Sequence, residues 1–218
     1  MMPPSNELAL YFDIRTYWLH SSGAGGGADY DLVMERDPDD LPFLGGRQIA
    51  GLLRLALKRA AAWDWFDNTA AIAGCDIPDL LMGGHADGAP GCLDVRSATV
   101  AEPLRASLLS DPAMRAACFQ RMQTTAIETA PGIAREGQLR SIEAAMPLPL
   151  QTRIRFLPAD SRIWSDADAA MHSRLAIAEA NWRQWIGICL PALDEVGAKR
   201  TRGFGQVHVT VSQGKGAP

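Results

Sequence analysis

Two long segments with the apolar spacing of helices lie among four segments with the alternation of strands, and this order limits the chain to few folds. The order is strand, helix, strand, strand, helix, strand, which is typical of an α+β protein with a ferredoxin-like (RRM-like) βαββαβ core. We find no internal repeat and no dividing linker, so we expect one domain over residues 1–218. The predicted strands are about residues 8–20, 92–102, 147–157 and 203–211, and the predicted helices are about residues 48–65 and 169–193.

The size and composition of the chain exclude several classes of protein. It has 218 residues, of which 47% are hydrophobic, and this is enough for one substantial core and argues against global disorder. No apolar run approaches the roughly 20 residues of a membrane span, and the first residues lack the pattern of a signal peptide. The four cysteines are scattered without CxxC spacing, which favours a reducing, cytoplasmic environment.

Charge is segregated along the chain, although the formal total is only −4. Residues 1–45 contain eight acids and two arginines, a balance of −6. Residues 46–62 and residues 196–218 each contain four basic residues and no acid, a balance of +4 each. Two basic clusters on an acidic chain indicate a local anion site rather than bulk coating of nucleic acid. Taken singly, either cluster is more simply a solvated surface.

The first predicted helix begins directly after Gly45-Gly46, so its first backbone N–H groups are open to an anion. Arg54 and Lys58 are four residues apart and therefore lie on one stripe of this helix. The pattern is compatible with a phosphate-contacting face and also with a solvated one.

A second glycine-rich basic segment, residues 197–205, precedes the last predicted strand. Glycines allow a close approach of backbone to a phosphate, and Lys199, Arg200 and Arg202 supply charge. Because this loop follows a helix and opens a strand, it does not fit a dinucleotide-binding loop. A helix C-cap followed by a tight turn explains the same residues.

Acidic residues follow the first glycine-rich loop, and Asp29 and Asp31 are candidates for a divalent-cation site. His20 ends the first predicted strand and has no partner at a standard metal-binding spacing. Cys75, His85 and Cys92 are a weaker zinc alternative, since their spacing matches no standard site.

The chain resembles the repeat-associated (RAMP) superfamily of CRISPR proteins, and above all the subunit that repeats along the crRNA in type III effector complexes. Four stretches carry the resemblance and together span nearly the whole chain. They are LHSSGAGGG at residues 19–27, DLVMERDPDDLPFLGGRQIAGLLRLAL at 31–57, LLMGG with the following CLDVRSATV at 80–100, and VGAKRTRGFGQVHV at 196–209.

The resemblance implies a ferredoxin-like core with inserted lid segments and a thumb, here at about residues 124–145, that grips guide RNA. It implies copies of the chain stacked head to tail, other effector subunits as partners, no membrane, and cleavage of the complementary target RNA. Asp31 falls at the position of the family's catalytic, metal-binding loop aspartate, and the implied cofactor is a divalent metal, with Mg²⁺ expected. The implied RNA-binding residues are His20, Gly46, Arg47, Gln48, Arg54, Lys58, Arg135, Arg140, Lys199, Arg200, Arg202, Gly203 and Gly205.

The chain departs from the family pattern at several positions. Gly45 replaces a proline and Ala50 replaces a lysine, which shifts the expected phosphate contacts to Arg47, Arg54 or Lys58. Thr129 replaces a basic residue of the thumb, so Arg135 and Arg140 are the expected contacts there. Asp29 lies two residues from Asp31, so either one fits the catalytic position.

Three other functions remain open from the sequence. The first is a non-catalytic RAMP subunit that caps one end of the complex. The second is a standalone guide-processing ribonuclease with His20 as general acid and base. The third is a ferredoxin-like protein that binds a small anionic ligand at the glycine-rich loop.

Overall fold

Seven strands and five α-helices are present in the described part of the computed structural model, which comprises residues 6–21, 23, 30–66, 76–84, 90–127, 134–165 and 167–212, with backbone alone for 124–127 and 134–139. The strands are β1 Glu7–Ile14, β2 Leu93–Val95, β3 Thr99–Val100, β4 Phe119–Ile127, β5 Ala134–Ala145, β6 Pro149–Phe156 and β7 Val207–Val211. The helices are α1 Gly46–Ala62, α2 Ile77–Met82, α3 Leu104–Ser110, α4 Pro112–Ala117 and α5 Ala169–Cys189.

The main sheet has the strand order β2–β6–β1–β7, with β3 also paired to β6. All of these pairs are antiparallel. β1 lies inside the sheet, with β6 on one side and β7 on the other. Strict alternation in β1 buries Leu8, Leu10, Phe12 and Ile14 on one face, as the period of two in a strand requires. An α+β architecture follows from this sheet and its helices.

The long helices α1 and α5 contact each other and supply the apolar side chains that cover the buried face of the sheet. Trp182 of α5 stacks on Phe156 of β6 with ring centroids 6.0 Å apart, and both side chains are fully buried. Ile49, Leu53 and Leu57 of α1 recur at helical spacing and enter the same core. The opposite face of the sheet carries polar side chains.

The strands β4 and β5 form a separate two-stranded antiparallel sheet. Trp18 pairs with Ala145 at the base of this sheet, and Leu32 pairs with Ile142 beside it. The β4–β5 sheet is therefore tied to the main body by the segments that flank the first glycine-rich loop.

Two strands are shorter in the structure than the sequence predicted. The strand predicted over residues 8–20 ends at Ile14, and the backbone further along bonds to other segments, Trp18 to Ala145 and Leu19 to Ala198. The strand predicted over residues 203–211 begins at Val207, because Gly203 and Gly205 have φ angles of 77° and 72° and cannot continue a sheet.

Two further segments are divided. The strand predicted over residues 92–102 forms as β2 and β3, because its register against β6 shifts by one residue between Val95, opposite Ile154, and Thr99, opposite Gln151. Residues 104–117 form two helices, α3 and α4, before the chain enters β4. The division falls at Asp111, whose side chain accepts hydrogen bonds from Ala113 N and Met114 N and so starts a new helix.

No helix in the described ranges is long and apolar enough to cross a membrane.

Candidate nucleic-acid interface

The segment that follows β1 brings His20 to the meeting point of three parts of the chain. Trp18 exchanges backbone hydrogen bonds with Ala145 at the base of the β4–β5 sheet. Leu19 O accepts a hydrogen bond from Ala198 N at 2.8 Å. His20 therefore lies between the β4–β5 sheet and the C-terminal glycine-rich loop.

The His20 side chain is enclosed by residues from the segment leading into α1. Its Nε2 lies 3.1 Å from Glu35 Oε2, and its ring meets Phe43 edge to face at 5.3 Å. A Cβ on Gly45 would come 3.2 Å from Nε2, so the imidazole rests against the start of α1. Burial lowers the pKa of His20 below its usual 6.5, although the Glu35 carboxylate and the Gln48 side chain oppose the shift. The imidazole is therefore mainly neutral at pH 7.

The N-terminus of α1 approaches β2 more closely than any side chain would allow. A Cβ on Gly46 would come 2.4 Å from Val95 O, which explains glycine at this position. Gly46 N donates to Ser97 Oγ at 3.1 Å, and no side chain at Gly45 caps the helix. Arg47 is exposed on the first turn. Gln48 N and Ile49 N both donate to Gly45 O, so the exposed Arg47 side chain is the group on this turn that favours an anion beside His20.

The remaining basic residues of α1 do not all face solvent. At about 100° per residue, Arg47, Arg54 and Lys58 lie on one side of the helix. Arg54 Nη2 donates to Met82 O and so braces α1 against α2, while Lys58 is exposed. The predicted RNA contact by Arg54 therefore competes with a structural role for the same guanidinium.

Two glycines of the C-terminal loop lie too close to other backbone atoms to be replaced by a residue with a side chain. A Cβ on Gly197 would come 2.5 Å from Leu19 O, and a Cβ on Gly205 would come 1.9 Å from Val196 O. Both glycines have φ near +70°, and Gly205 N donates to Tyr17 O at 2.8 Å. Only glycine permits this path, because both the conformation and the space exclude a side chain.

The basic residues of this loop follow directly from the bond between Ala198 and Leu19. Lys199 adopts a left-handed conformation with φ 60°, and Arg200–Arg202 forms one short 3₁₀ turn ending at Gly203. The side chain of Arg202 is exposed, and those of Lys199 and Arg200 are partly exposed. We call His20, the first turn of α1 and residues 197–205 the His20 surface. The two basic clusters that are far apart in sequence meet there.

Asp31 lies on a segment that pairs with β5 rather than on a free loop. Asp31 N donates to Ser141 O at 2.8 Å, and Asp31 Oδ2 accepts from Ser141 N at 2.8 Å. Glu143 N then donates to Leu32 O at 2.9 Å, which extends the pairing. The Asp31 side chain is nevertheless exposed. The structure fixes the backbone here and leaves the carboxylate accessible, whereas Asp29 lies outside the described residues.

Asp31 can hold only part of a metal's coordination shell. The described ranges contain no group of three or more His, Cys, Asp or Glu residues that could hold a metal ion. Mg²⁺ is commonly bound through one or two carboxylates, with water and phosphate oxygens as the other ligands. Asp31 Oδ1 fits that use, since the described hydrogen bond is made by Oδ2. The zinc alternative has Cys75 and His85 outside the described residues, and Cys92 is a buried core thiol.

The predicted contacts on the β4–β5 sheet are only partly described. Arg140 is exposed and pairs in register with Thr124, one residue before the Ser141 that bonds Asp31. Arg135 lies on β5, and its side chain is outside the described part of the chain. Arg140 is therefore the predicted β5 arginine that lies beside the contact between Ser141 and Asp31.

Sequence reasoning missed the residues that support the two sites. Glu35 holds His20, and Ser141 holds Asp31, while Arg121 Nη2 donates to Ser141 Oγ at 3.2 Å. Residues 134–145 show no regular alternation of polar and apolar side chains that would mark a strand facing Asp31. No local pattern indicates which segment pairs with that strand.

Comparison with known proteins shows the fold. No family model matches the chain, and no curated protein matches it in sequence. Among solved structures, the cryo-EM structure of type III-B Cmr-beta bound to cognate target RNA is similar, with a TM-score of 0.65 and 12% identity over 95% of this chain and 98% of that one. The apo state of type III-B Cmr-beta gives a TM-score of 0.62 and 12% identity over 96% and 98%. The likeness covers each chain almost from end to end.

Proposed function

We propose that this protein is an RNA-binding subunit of a type III CRISPR effector complex, repeated along the crRNA, with other effector subunits as partners. The core would be ferredoxin-like, since β1, α1, β2, β6, α5 and β7 follow one another in a sheet of order β7–β1–β6–β2. The β4–β5 sheet would be the thumb. The fold likeness to type III-B Cmr-beta, one structure of which is bound to target RNA, supports this assignment.

The observation that carries the proposal is the convergence of the two basic clusters on His20. The hydrogen bond from Ala198 N to Leu19 O and the contact of Gly45 with the imidazole bring the clusters together from opposite ends of the chain. Exposed arginines on one surface can contact successive phosphates of a strand. A net charge of −4 is no obstacle, because the affinity depends on the charges at the surface that meets RNA.

Cleavage of the paired target RNA would take place beside Asp31. In the proposed reaction the 2′-hydroxyl of the target loses its proton to water and attacks the adjacent phosphorus. The bond to the 5′-oxygen of the next nucleotide breaks, that oxygen takes a proton from water, and a 2′,3′-cyclic phosphate and a 5′-hydroxyl result. Asp31 would hold a divalent cation, with Mg²⁺ expected, and such a cation stabilises negative charge that develops on the phosphate. The chain's own contribution is to hold the strand in line for attack, which needs no strong base.

One specific observation favours the standalone ribonuclease as a second candidate. His20 is mainly neutral and hydrogen-bonded to Glu35, which is the state required of a general base. Cleavage of a repeat hairpin by the isolated protein in the presence of a chelator, and its loss in His20→Gln, would support that function. Metal-dependent cleavage within an assembled complex supports the first proposal. A subunit present once per complex and without cleavage would be the capping subunit.

The proposed RNA surface can be tested by a comparison of two doubly substituted chains with the same change in charge. The first carries Arg47→Gln and Arg202→Gln on the His20 surface. The control carries Arg153→Gln and Arg162→Gln, two exposed arginines of β6 and of the turn before α5. Affinity for a single-stranded RNA is measured by fluorescence anisotropy over a range of salt concentrations.

We expect the first variant to lose affinity by about tenfold and its log–log salt slope to fall by about 0.7 per lost phosphate contact. The control should match the unsubstituted protein. The reverse result, with the larger loss in the Arg153 and Arg162 variant, would place RNA on the open face of the sheet and contradict the proposal. No RNA binding by the unsubstituted protein would favour the small-ligand alternative.

A further inference from the structure

The segment that carries Asp31 is attached to β5 at two points by one residue, Glu143. The backbone N of Glu143 donates to Leu32 O at 2.9 Å, next to the hydrogen bonds between Asp31 and Ser141. Its carboxylate Oε1 accepts from Arg36 Nη2 at 2.9 Å, further along the same segment. Glu143 therefore closes a loop that begins at Leu32 and ends at Arg36, and Asp31 lies at the start of that loop.

The guanidinium of Arg36 is held by Glu143, Asp40 and Phe119. Its Nη1 donates to Asp40 Oδ1 at 2.9 Å, and its Cζ lies 3.8 Å from the ring centroid of Phe119 on β4. A cation within about 6 Å of the face of a ring is attracted to it. An arginine can also bond two carboxylates at once, because its fork of N–H donors is rigid and planar. These contacts fix both the position and the plane of the guanidinium.

The pair between Arg36 and Glu143 is less exposed than an ordinary surface ion pair. The side chain of Glu143 is 11% exposed and that of Arg36 is 34% exposed, whereas those of Asp13 and Arg15 are 48% and 63% exposed. Exposed pairs contribute little, because water and salt screen them. Loss of one partner from a buried pair is strongly destabilising, since it leaves a buried charge uncompensated. The Glu143 carboxylate therefore holds Arg36 firmly.

Between its two attachments the segment leaves β5. Leu32 and Ile142 form an isolated parallel bridge, and Glu35 N then donates to His20 O at 2.7 Å. Regions held by few contacts open locally at a small cost in free energy. The side chain of Arg36 returns to β5 after this excursion, so its ion pair keeps the short pairing around Leu32 in register.

We propose that Arg36 is a positioning residue for cleavage: its ion pair with Glu143 keeps the segment on β5 and thereby holds the Asp31 carboxylate in place at the reacting phosphate. This inference rests on the proposed function and adds to it a residue that acts through Asp31 rather than on the RNA. Displacement of a reacting group by about 1 Å can lower a rate about a hundredfold, so a contact away from the chemistry can control it.

The test uses the full chain, alone and in an assembled complex. Glu143→Gln removes the charge of the buried partner and keeps its size, and Arg36→Lys keeps the charge but loses the rigid fork. Arg36→Gln combined with Glu143→Gln leaves no buried charge unpaired, and this variant replaces Glu143→Gln if the latter fails to fold. Asp94→Asn is the control, because it breaks an ion pair with Arg155 that joins β2 to β6 in the main sheet.

Two measurements separate positioning from folding. Hydrogen–deuterium exchange of the isolated chain should be about tenfold faster in peptides that contain Asp31 when Glu143 is replaced by Gln, because the pairing with β5 opens more often. Single-turnover cleavage by the complex at saturating target RNA should be about tenfold slower, with the affinity for the target unchanged. Arg36→Lys should show part of both changes, and Asp94→Asn should show neither.

Three results would overturn the inference and leave the proposed function in place. Faster exchange with an unchanged cleavage rate in Glu143→Gln would make the ion pair purely structural. Unchanged exchange would show that the pair does not hold the segment. Weaker target binding by Arg36→Lys, with an unchanged rate at saturation, would mean that Arg36 contacts the RNA itself. If the unsubstituted complex cleaved no RNA, the proposed cleavage would fail together with this inference.

Discussion

The His20 surface and residues 30–36, which include Asp31, are neighbours in the structure, yet they are held in place by different contacts. Glu35 N donates to His20 O at 2.7 Å, and only three residues separate Glu35 from Asp31. The His20 surface is fixed by backbone approaches that admit glycine alone, whereas Asp31 is fixed by two hydrogen bonds to one residue of β5. Substitution of the glycines of the His20 surface should therefore lower stability, whereas substitution of Asp31 should lower cleavage.

The largest expected effect is on target cleavage, and it distinguishes the charge of the Asp31 carboxylate from its hydrogen bond to Ser141. Asp31→Asn keeps an oxygen that can accept from Ser141 N but removes the negative charge, whereas Asp31→Ala removes both. We expect both variants to lose target cleavage by at least about a hundredfold in an assembled complex, with guide binding unchanged. The measurement is single-turnover cleavage of a complementary RNA.

If Asp31→Asn cleaved as the unsubstituted protein does while Asp31→Ala did not, the carboxylate would be structural. In that case the metal site would have to lie elsewhere, and Asp29 would be the next candidate.

The next largest expected effect is the loss of stability when a glycine of the C-terminal loop is replaced. Gly203→Ala and Gly205→Ala both place a side chain at positive φ, which costs about 1–2 kcal/mol of stability. At Gly203 nothing lies within 4 Å, but at Gly205 the new Cβ would come 1.9 Å from Val196 O. We therefore expect Gly205→Ala to lower the melting temperature well beyond Gly203→Ala and to weaken RNA binding. Equal melting temperatures would contradict the close approach of this loop.

The start of α1 offers a similar matched pair. Gly46→Ala would bring a Cβ 2.4 Å from Val95 O, while Gly51 is exposed within the helix with nothing within 4 Å. We expect Gly51→Ala to stabilise the protein by about 1 kcal/mol and Gly46→Ala to destabilise it. Urea denaturation measures both. A stabilised Gly46→Ala variant would show that α1 and β2 are not in contact there.

The smallest expected effect is the pH dependence that His20 contributes. Because burial lowers the pKa of His20, the unfolded chain binds more protons than the folded one below the usual 6.5. The protein should therefore lose stability as the pH falls from 7 through 6.5 towards the lowered pKa, and His20→Gln should lack this component. Melting temperatures of the two proteins between pH 8 and pH 5 measure it. A difference that grows in favour of the unsubstituted protein at low pH would mean that Glu35 dominates instead.

The sequence predicted the order of the strands and helices of the main sheet and its two long helices. Strand alternation in β1 and helical spacing in α1 arise from one buried face each, so they are visible locally. The ends of elements were less predictable, because the backbone after β1 pairs with residues far away in the chain, such as Trp18 with Ala145. Such long-range pairings leave no periodic signal.

The candidate site was predictable to the same limited degree. The basic clusters around Arg47 and Arg202 were visible as charge runs, but nothing in the sequence indicates that Leu19 and Ala198 bond and so unite them. The support of Asp31 by Ser141 and the buried Glu143 had no signal, since each depends on which strand lies beside segment 30–36. Those contacts are tertiary, and a single sequence records only the propensities of its own segments.

The central claim is that the start of α1 and the C-terminal loop contact one RNA strand. Ultraviolet cross-linking of the protein to an RNA that carries 4-thiouridine, followed by mass spectrometry of the peptides, tests it most directly. We expect cross-links to peptides containing Arg47 and to peptides containing Arg202 from the same RNA. Cross-links confined to the β6 peptide that contains Arg153 would contradict it.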